Sequence, residues 1–291
     1  GAVDRWKFKQ IISALKKSDL LISGGGSLLQ DATGWKSIPY YLSVVFLAKL
    51  LGKKVVFYAQ GIGPVSINFN RLLIKWIGNK VDYISVRDHQ SKEELMNMGI
   101  KKKAIDVTVD PVLRLHVTPE EKTKDHKKRL GVYLRNWKVE AQFFQYVKEI
   151  LHWFYQNGWE VVFIPMHYPH DIEVAKKISK ELPTSIVYEG DHFPENILKL
   201  TSTMDFVIGM RLHALIMAAA AEVPFLGLSY DPKVKNFVDT IGIGKAIDIH
   251  HINIEEVFTY LETTLHHLEE LKEDVKLRKK QLLKGKNKPV E

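Results

Sequence analysis

Short apolar runs alternate with longer amphipathic segments along most of this chain. Such runs are typical of strands buried on both faces of a sheet, and the amphipathic segments of crossover helices. The alternation predicts an α/β fold with parallel sheets. The predicted strands are Asp19–Ser23, Lys54–Ala59, Tyr83–Val86, Ile105–Val109, Gly131–Leu134, Val161–Pro165, Ser185–Tyr188, Phe206–Ile208 and Phe225–Leu228. The predicted helices are Ile38–Leu51, Phe69–Asn79, Ser91–Met98, Ala141–Gln156, Glu173–Leu182 and Pro194–Thr201.

A polar, highly charged segment with one proline, Leu115–Lys128, interrupts the alternation. We interpret it as the break between two Rossmann-like domains, residues 1–118 and 128–291, with a cleft between them. A long helical pattern, Ile254–Leu283, ends the second domain and is expected to dock through its apolar stripe. The stripe consists of Val257, Leu261, Leu265, Leu268 and Leu271.

Composition narrows the possible functions. The absence of cysteine excludes disulfides, thiolate nucleophiles and cysteine metal sites, and it suits a reducing, cytoplasmic compartment. No apolar run approaches the roughly 18 residues that span a bilayer, and no signal peptide is visible. Because the chain begins at Gly1 without methionine, we expect a trimmed N-terminus that lacks a first strand and its glycine turn.

The net charge of +8 predicts anionic partners. Part of it lies in a basic C-terminal tail, which either is a solvated helix end or contacts an anionic membrane surface or a polyanionic substrate. Nucleic acid is disfavoured because the tail has no interleaved aromatic residues and no recognition motif is present. The tail's basic residues are Lys276, Arg278, Lys279, Lys280, Lys284, Lys286 and Lys288.

The segment 205–233 contains the strongest candidate site. Arg211 and His213 stand between an apolar run and a helix of small residues, and the next run leads to Ser229, Tyr230 and Lys233. In a β-α-β unit, strand ends and helix N-termini meet at one edge, which favours an anionic ligand. Cationic donors for phosphate or carboxylate are thus predicted there, although a lone histidine beside a core helix is more often structural.

Two glycine turns follow strands in the first half. One contains Gly24, Gly25 and Gly26, and the other contains Gln60 and Gly61. Glycine lets the backbone approach a phosphate closely. The first turn is not a dinucleotide fingerprint, because Leu29 occupies the third glycine position, and neither is a Walker A loop. Nicotinamide cofactors and P-loop hydrolysis therefore lose support.

Charged side chains follow other strands. Arg87, Arg135 and His167 each come after an apolar run, so we expect them at the carboxyl edges that line the cleft. Arg87 and Asp88 could instead form a local pair that caps the next helix. The sequence between His167 and Asp171 superficially resembles a metal cluster, but Asp171 is a good N-cap and the helix context of zinc proteases is missing, so no metal is predicted.

These motifs resemble the polysaccharide pyruvyltransferase family, especially bacterial ketal-pyruvyltransferases that modify secondary cell-wall polymers for anchoring surface-layer proteins. The Arg-Leu-His element with its downstream Ser-Tyr-Asp-Pro-Lys is the most specific part. The matching stretches are 18–31, 57–64, 84–91, 110–112, 132–138, 165–171 and 207–234.

The resemblance implies a GT-B-like fold and phosphoenolpyruvate as donor, with no further cofactor. It also implies a pyruvate ketal on a sugar, typically lipid-diphosphate-linked N-acetylmannosamine, made at the inner face of the cell membrane. His213 would be the general acid, and Arg211 and Lys233 would bind the phosphate. The remaining assignments give Arg87, Arg135, Ser229 and Tyr230 to the donor, and Gly24, Gly25, Gly26, Gln60, Gly61 and His167 to the acceptor or its phosphates.

Two other functions stay open on the residues alone. A nucleotide-sugar glycosyltransferase of the same fold also binds diphosphates without metal, but it would usually need a carboxylate that these strand ends do not offer. A non-enzymatic module for an anionic sugar or lipid diphosphate would have no need of a titratable His213 beside Arg211.

Overall fold

The computed structural model describes residues 2–32, 34–101, 104–117, 127–136 and 141–284. It divides the chain into two compact units, an N-terminal unit, Gly1–Pro111, and a C-terminal unit, Val112–Asn287. This division falls just before the predicted break at Leu115–Lys128, of which residues 118–126 lie outside the described ranges.

The N-terminal unit is a four-stranded parallel sheet whose strands follow one another in chain order. Helices precede the first strand and cross over between the others. In sequence the elements are α1 (Phe8–Lys16), β1 (Leu20–Gly24), α2 (Ser37–Leu50), β2 (Lys54–Gln60), α3 (Asn68–Gly78), β3 (Tyr83–Val86), α4 (His89–Asn97) and β4 (Asp106–Val107). The core forms where β2 and β3 meet α2 and α3, with Val55, Phe57, Ile74 and Ile84 almost fully buried.

The C-terminal unit is a six-stranded parallel sheet in the order β10-β9-β8-β5-β6-β7. Its elements are β5 (Arg129–Tyr133), α5 (Ala141–Gln156), β6 (Glu160–Phe163), α6 (His170–Ser179), β7 (Ile186–Val187), α7 (Pro194–Ser202), β8 (Phe206–Gly209), α8 (Leu212–Ala220), β9 (Phe225–Ser229), α9 (Pro232–Ile241), β10 (Lys245–Asp248), α10 (Ile254–His266) and α11 (Leu268–Lys284). The chain runs outward from β5 to β7, then returns to the other side of β5 with β8. A ligand crevice is expected outside the carboxyl ends of such a strand pair.

All nine predicted strands are present, with ends shifted by up to two residues. The strand β10 was missed because it is short and buries only Ile247, which leaves no apolar run to recognise. The single helix predicted at Ile254–Leu283 is wrong, because the chain breaks at His267 into α10 and α11. The apolar stripe continues through the break, and Val257, Leu261 and Leu268 are buried in the core of the C-terminal unit.

Two side chains of α11 cap the C-terminal ends of α8 and α9. Lys279, only 3% exposed, donates from Nζ to the carbonyl of Ala220 at the end of α8, at 2.5 Å. Arg278 donates from Nε to the carbonyl of Ile241 at the end of α9, at 2.8 Å. Cationic side chains at helix C-termini satisfy orphan carbonyls and oppose the negative end of the dipole.

Within the described ranges, no helix is both long and apolar enough to cross a bilayer.

Replacing Lys279 tests this capping interaction. We expect Lys279→Met to lower the free energy of unfolding by about 1–3 kcal/mol, since the buried Ala220 carbonyl loses its donor. Lys280→Met, on the exposed side of the same helix, should change it by less than about 0.5 kcal/mol. Urea unfolding of both variants measures the difference, and equal stabilities would contradict the capping role.

Candidate functional site

The carboxyl edge of the C-terminal sheet collects every residue that the sequence assigned to this unit. Arg135 follows β5, His167 follows β6, Arg211 follows β8, and Ser229 ends β9. These four strands are neighbours in the sheet, and β5 and β8 form the pair at which the strand order reverses. The helices α8 and α9 also begin at this edge, so their N-terminal N–H groups add positive potential there.

The guanidinium of Arg211 is held by a buried carboxylate. Its Nε and Nη2 donate to the two carboxylate oxygens of Asp171, both at 2.6 Å, and Asp171 is 1% exposed. The same carboxylate accepts the backbone N–H of His167 at 2.9 Å. Asp171 was expected to cap α6, but that helix already begins at His170, so the side chain of Asp171 is turned to Arg211 instead. The side-on pairing leaves Nη1 of Arg211 directed away from Asp171.

Arg135 is held differently. Its Nη1 donates to the hydroxyl of Tyr230 at 2.5 Å, and its guanidinium carbon lies 5.0 Å from the Tyr230 ring centroid. The backbone N–H of Arg135 also reaches the sulfur of Met210, at 3.4 Å. Arg135 and Tyr230, predicted to bind one ligand, are thus in direct contact across β5, β8 and β9.

The starts of α8 and α9 position two more predicted residues. Arg211 is the N-cap of α8, which places His213 in the first turn of that helix, partly exposed. Asp231 caps α9 by accepting the backbone N–H of Lys233 at 2.9 Å. Ser229 donates its hydroxyl to the carbonyl of Asp231 at 3.1 Å, which tightens the turn between β9 and α9.

Aromatic rings lie along the loop between β6 and α6. The rings of His167 and His170 are 4.9 Å apart, and Tyr168 stacks on His192 at 5.1 Å. His167 is exposed, so its ring is available to a ligand. Among the described residues, no group of three or more acidic or histidine side chains is arranged to hold a metal ion.

At the N-terminal unit's carboxyl edge, the triple glycine forms a tight turn against β2. A Cβ on Gly24 would lie 2.0 Å from the carbonyl oxygen of Tyr58, so only glycine fits there. Gly25 has φ of +78°, donates to that same carbonyl at 3.1 Å, and has open space beside it. The carbonyl of Gly26 accepts the backbone N–H of Gly61 at 2.9 Å, which joins the two predicted glycine turns.

Arg87 lies flat against the second glycine turn. A Cβ on Gly61 would be 2.7 Å from the Arg87 guanidinium. Arg87 is 9% exposed and donates to Ser27 at 2.9 Å and to Asp110 at 3.4 Å, with Asp88 at 3.5 Å. Asp88 also caps α4, as the alternative interpretation expected. An anion that bound Arg87 would have to compete with two carboxylates.

Gln60 is the least satisfied polar group at this edge. It is fully buried, and in the part of the chain that the structure describes neither side-chain polar atom has a hydrogen-bond partner. The register of β2 against β3 shifts just before it, where Ala59 has φ of +46°. Bulges and positive φ at non-glycine residues often mark functional positions, because they re-aim a side chain at a local cost.

Comparison with solved structures defines the class of fold. UDP-GlcNAc 2-epimerase from Methanocaldococcus jannaschii aligns with a TM-score of 0.59 at 14% identity, over 90% of this chain and 76% of that one. The S. aureus MnaA–UDP co-structure gives 0.62 at 14%, over 94% and 76%. Anabaena Alr3699/HepE in complex with UDP-glucose gives 0.59 at 10%, over 95% and 77%. These likenesses show the fold alone, and they confirm a GT-B-like α/β fold with parallel sheets.

The sequence itself defines the family. The model described as polysaccharide pyruvyl transferase matches residues 2–232, which is most of the chain. This protein therefore belongs to the polysaccharide pyruvyl transferase family, and the predicted resemblance is confirmed. The corresponding class of reaction is transfer of a pyruvyl group to a polysaccharide. No curated protein matches the sequence.

The Asp171–Arg211 pair can be tested without a substrate. We expect Asp171→Asn to lower the free energy of unfolding by about 1.5–3 kcal/mol, because a charge-assisted, largely buried pair is replaced by a neutral contact. The matched control is Asp239→Asn, which breaks the exposed pair with Lys235 and should cost less than about 1 kcal/mol. Similar losses in urea unfolding would show that Asp171 does not hold Arg211 in solution.

Proposed function

We propose that this protein transfers pyruvate from phosphoenolpyruvate to a sugar and forms a cyclic ketal across two hydroxyls. Membership of the family supports the pyruvyl transfer, and one structural observation supports the donor. Arg135, Arg211, His213 and Lys233 belong to strand ends and helix starts at one carboxyl edge, beside the strand reversal. Phosphoenolpyruvate carries a phosphate and a carboxylate, which need several cationic donors together.

In this proposal Asp171 orients Arg211 so that Nη1 meets the donor phosphate. Lys233, at the start of α9, is the second phosphate ligand. Arg135 is assigned to the donor carboxylate, with Tyr230 fixing its guanidinium and Ser229 shaping the turn beside it. Arg87, already paired with Asp110, would act on the donor carboxylate only in competition with that pair.

The chemistry needs one acid and two hydroxyl nucleophiles. His213 protonates the methylene carbon of phosphoenolpyruvate, which becomes a methyl group, while positive charge develops at the neighbouring carbon. One sugar hydroxyl bonds to that carbon, phosphate leaves with its electron pair, and a second hydroxyl closes the ketal. Of the two hydroxyl protons released, one restores His213 and the other leaves with phosphate. Arg211 and Lys233 stabilise the departing phosphate.

The acceptor is assigned to the glycine turns and His167. The open space beside Gly25 and Gly26 leaves room for a diphosphate, and the unpaired carboxamide of Gln60, which is buried, would have to be uncovered to meet a sugar hydroxyl or amide. We propose a lipid-diphosphate-linked acceptor containing N-acetylmannosamine, in secondary cell-wall polymer synthesis that anchors surface-layer proteins. We propose that the reaction takes place in the cytoplasm, at the inner face of the membrane. It uses phosphoenolpyruvate as the donor substrate and needs no cofactor.

The reaction is tested by incubating the protein with phosphoenolpyruvate and a short-chain disaccharide diphosphate. We expect acceptor-dependent release of phosphate and a gain of one pyruvyl ketal by mass spectrometry. Release of UDP from a nucleotide sugar would instead favour a glycosyltransferase, in line with the UDP ligands named for the similar structures. Binding of both substrates without any release would favour the non-enzymatic module.

His213 should be required for turnover and not for folding. We expect His213→Ala and His213→Gln to abolish phosphate release, because neither side chain can supply the proton. Their thermal unfolding midpoints should stay close to that of the unaltered protein, since His213 is partly exposed. Activity retained by either folded variant would assign the proton to another group, and loss of stability in both would make His213 a structural residue.

Lys233 should act on the donor alone. We expect Lys233→Ala to lower kcat/KM for phosphoenolpyruvate about 10- to 150-fold, since a charge-assisted hydrogen bond contributes about 1.5–3 kcal/mol. The KM for the acceptor should change little. Lys235→Ala removes an exposed lysine of the same helix and serves as the matched control. Equal kinetics for the two variants would remove Lys233 from the donor site.

A further inference from the structure

The outward face of α3 carries three large apolar side chains in one row. Phe69, Leu72 and Trp76 are 57%, 63% and 52% exposed. Their spacing of three and four residues aligns them in one stripe. The opposite side of the helix, with Ile74 and Ile77, is buried in the core of the N-terminal unit. The helix is therefore apolar on two sides, and the core covers only one of them.

The stripe is bordered by lysines. Lys75 and Lys80 are both exposed, and the ammonium of Lys80 lies 5.3 Å from the ring centroid of Trp76. A second pair of the same kind precedes α2, where the ammonium of Lys36 lies 5.4 Å from the ring of Trp35, itself 57% exposed. The carbonyl of Trp35 accepts a hydrogen bond of 3.4 Å from the side chain of Asn70, on the buried side of α3.

Three carboxylates that contact α2 or α3 have hydrogen-bonding or ionic partners in the structure. Glu94 pairs with Arg71 at 2.8 Å, and Asp82 pairs with Lys49 at 2.8 Å. Asp31 accepts two backbone N–H groups immediately before α3 and thereby fixes the start of that helix. Lys75 and Lys80 outnumber Asp31, whose partners are backbone N–H groups and Asn70, so the net charge beside the stripe is positive.

We propose that the outward face of α3 docks on an anionic phospholipid surface. Tryptophan and phenylalanine are favoured at the headgroup level of bilayers, and each nearby lysine adds attraction to anionic lipid. A second copy of the chain fits less well, because a two-fold contact on this stripe would gather four lysines, Lys75 and Lys80 of each copy, at one interface. The proposal goes beyond the transfer reaction, and its test uses neither donor nor acceptor.

Co-sedimentation with lipid vesicles tests the surface. The protein should pellet with phosphatidylcholine vesicles that contain phosphatidylglycerol, less with phosphatidylcholine alone, and less at high salt. The double variant Phe69→Gln/Leu72→Gln should bind at least about tenfold more weakly, because it removes the apolar area that enters the interface. The matched control, Met96→Gln/Leu277→Gln, alters two helix residues of similar exposure, 57% and 55%, and should bind like the unaltered protein.

A second measurement does not depend on the folding of the double variant. Bromine-labelled phosphatidylglycerol should quench part of the indole fluorescence of the unaltered protein, and the quenched part should be smaller in Trp76→Phe. The proposal is overturned if the unaltered protein ignores anionic vesicles or if Phe69→Gln/Leu72→Gln binds them equally. Loss of binding only on removal of residues 285–291 would overturn it in favour of the basic tail. A dimer that the double variant dissociates, without vesicle binding, would overturn it in favour of self-association.

Discussion

The parallel pairing of β5 with β8 is the contact on which the rest of the C-terminal unit depends. Tyr133 lies opposite Gly209 at the end of the ladder, and the backbone N–H of Met210 extends the pairing to the carbonyl of Tyr133 at 2.9 Å. Arg135 and Arg211 follow immediately, so the sheet itself brings two arginines to one edge. Because the chain leaves β5 in one direction and β8 in the other, the crossover helices diverge there and leave room for a ligand.

The predicted cations are held by partners of different kinds, and this difference distinguishes the two carboxyl edges. In the C-terminal unit Arg211 is oriented by one buried carboxylate, and Arg135 is oriented by the neutral hydroxyl of Tyr230. In the N-terminal unit Arg87 is surrounded by Asp88 and Asp110. An anion is therefore favoured more by the first edge than by Arg87. The glycine turns of that unit differ again, because Gly25 and Gly61 already donate their backbone N–H groups to the carbonyls of Tyr58 and Gly26.

Much of the fold and of the candidate site could be predicted, because strand ends and helix starts leave local signals in the sequence. The apolar runs located the strands, and the Arg-Leu-His element located the start of α8. Asp88 could be named as a partner of Arg87 because it is the next residue, but the distant partners of the cations could not be found in this way, since Asp171 is 40 residues from Arg211 and Ser27 is 60 residues from Arg87. Asp171 also carried a misleading local signal, because an aspartate at the start of a helix is usually a cap. The buried, unpaired side chain of Gln60 follows a shift in register between β2 and β3. No pattern of residue types in the sequence predicts such a shift.

The capping of α8 and α9 by α11 has a consequence for how the protein is made. His213 and Lys233 are in the first turns of two helices whose last carbonyls receive Lys279 and Arg278. During synthesis the strands and both helices leave the ribosome before α11 does. The C-terminal unit therefore emerges with the far ends of these helices uncapped, and a helix translated later completes the support of residues made far earlier.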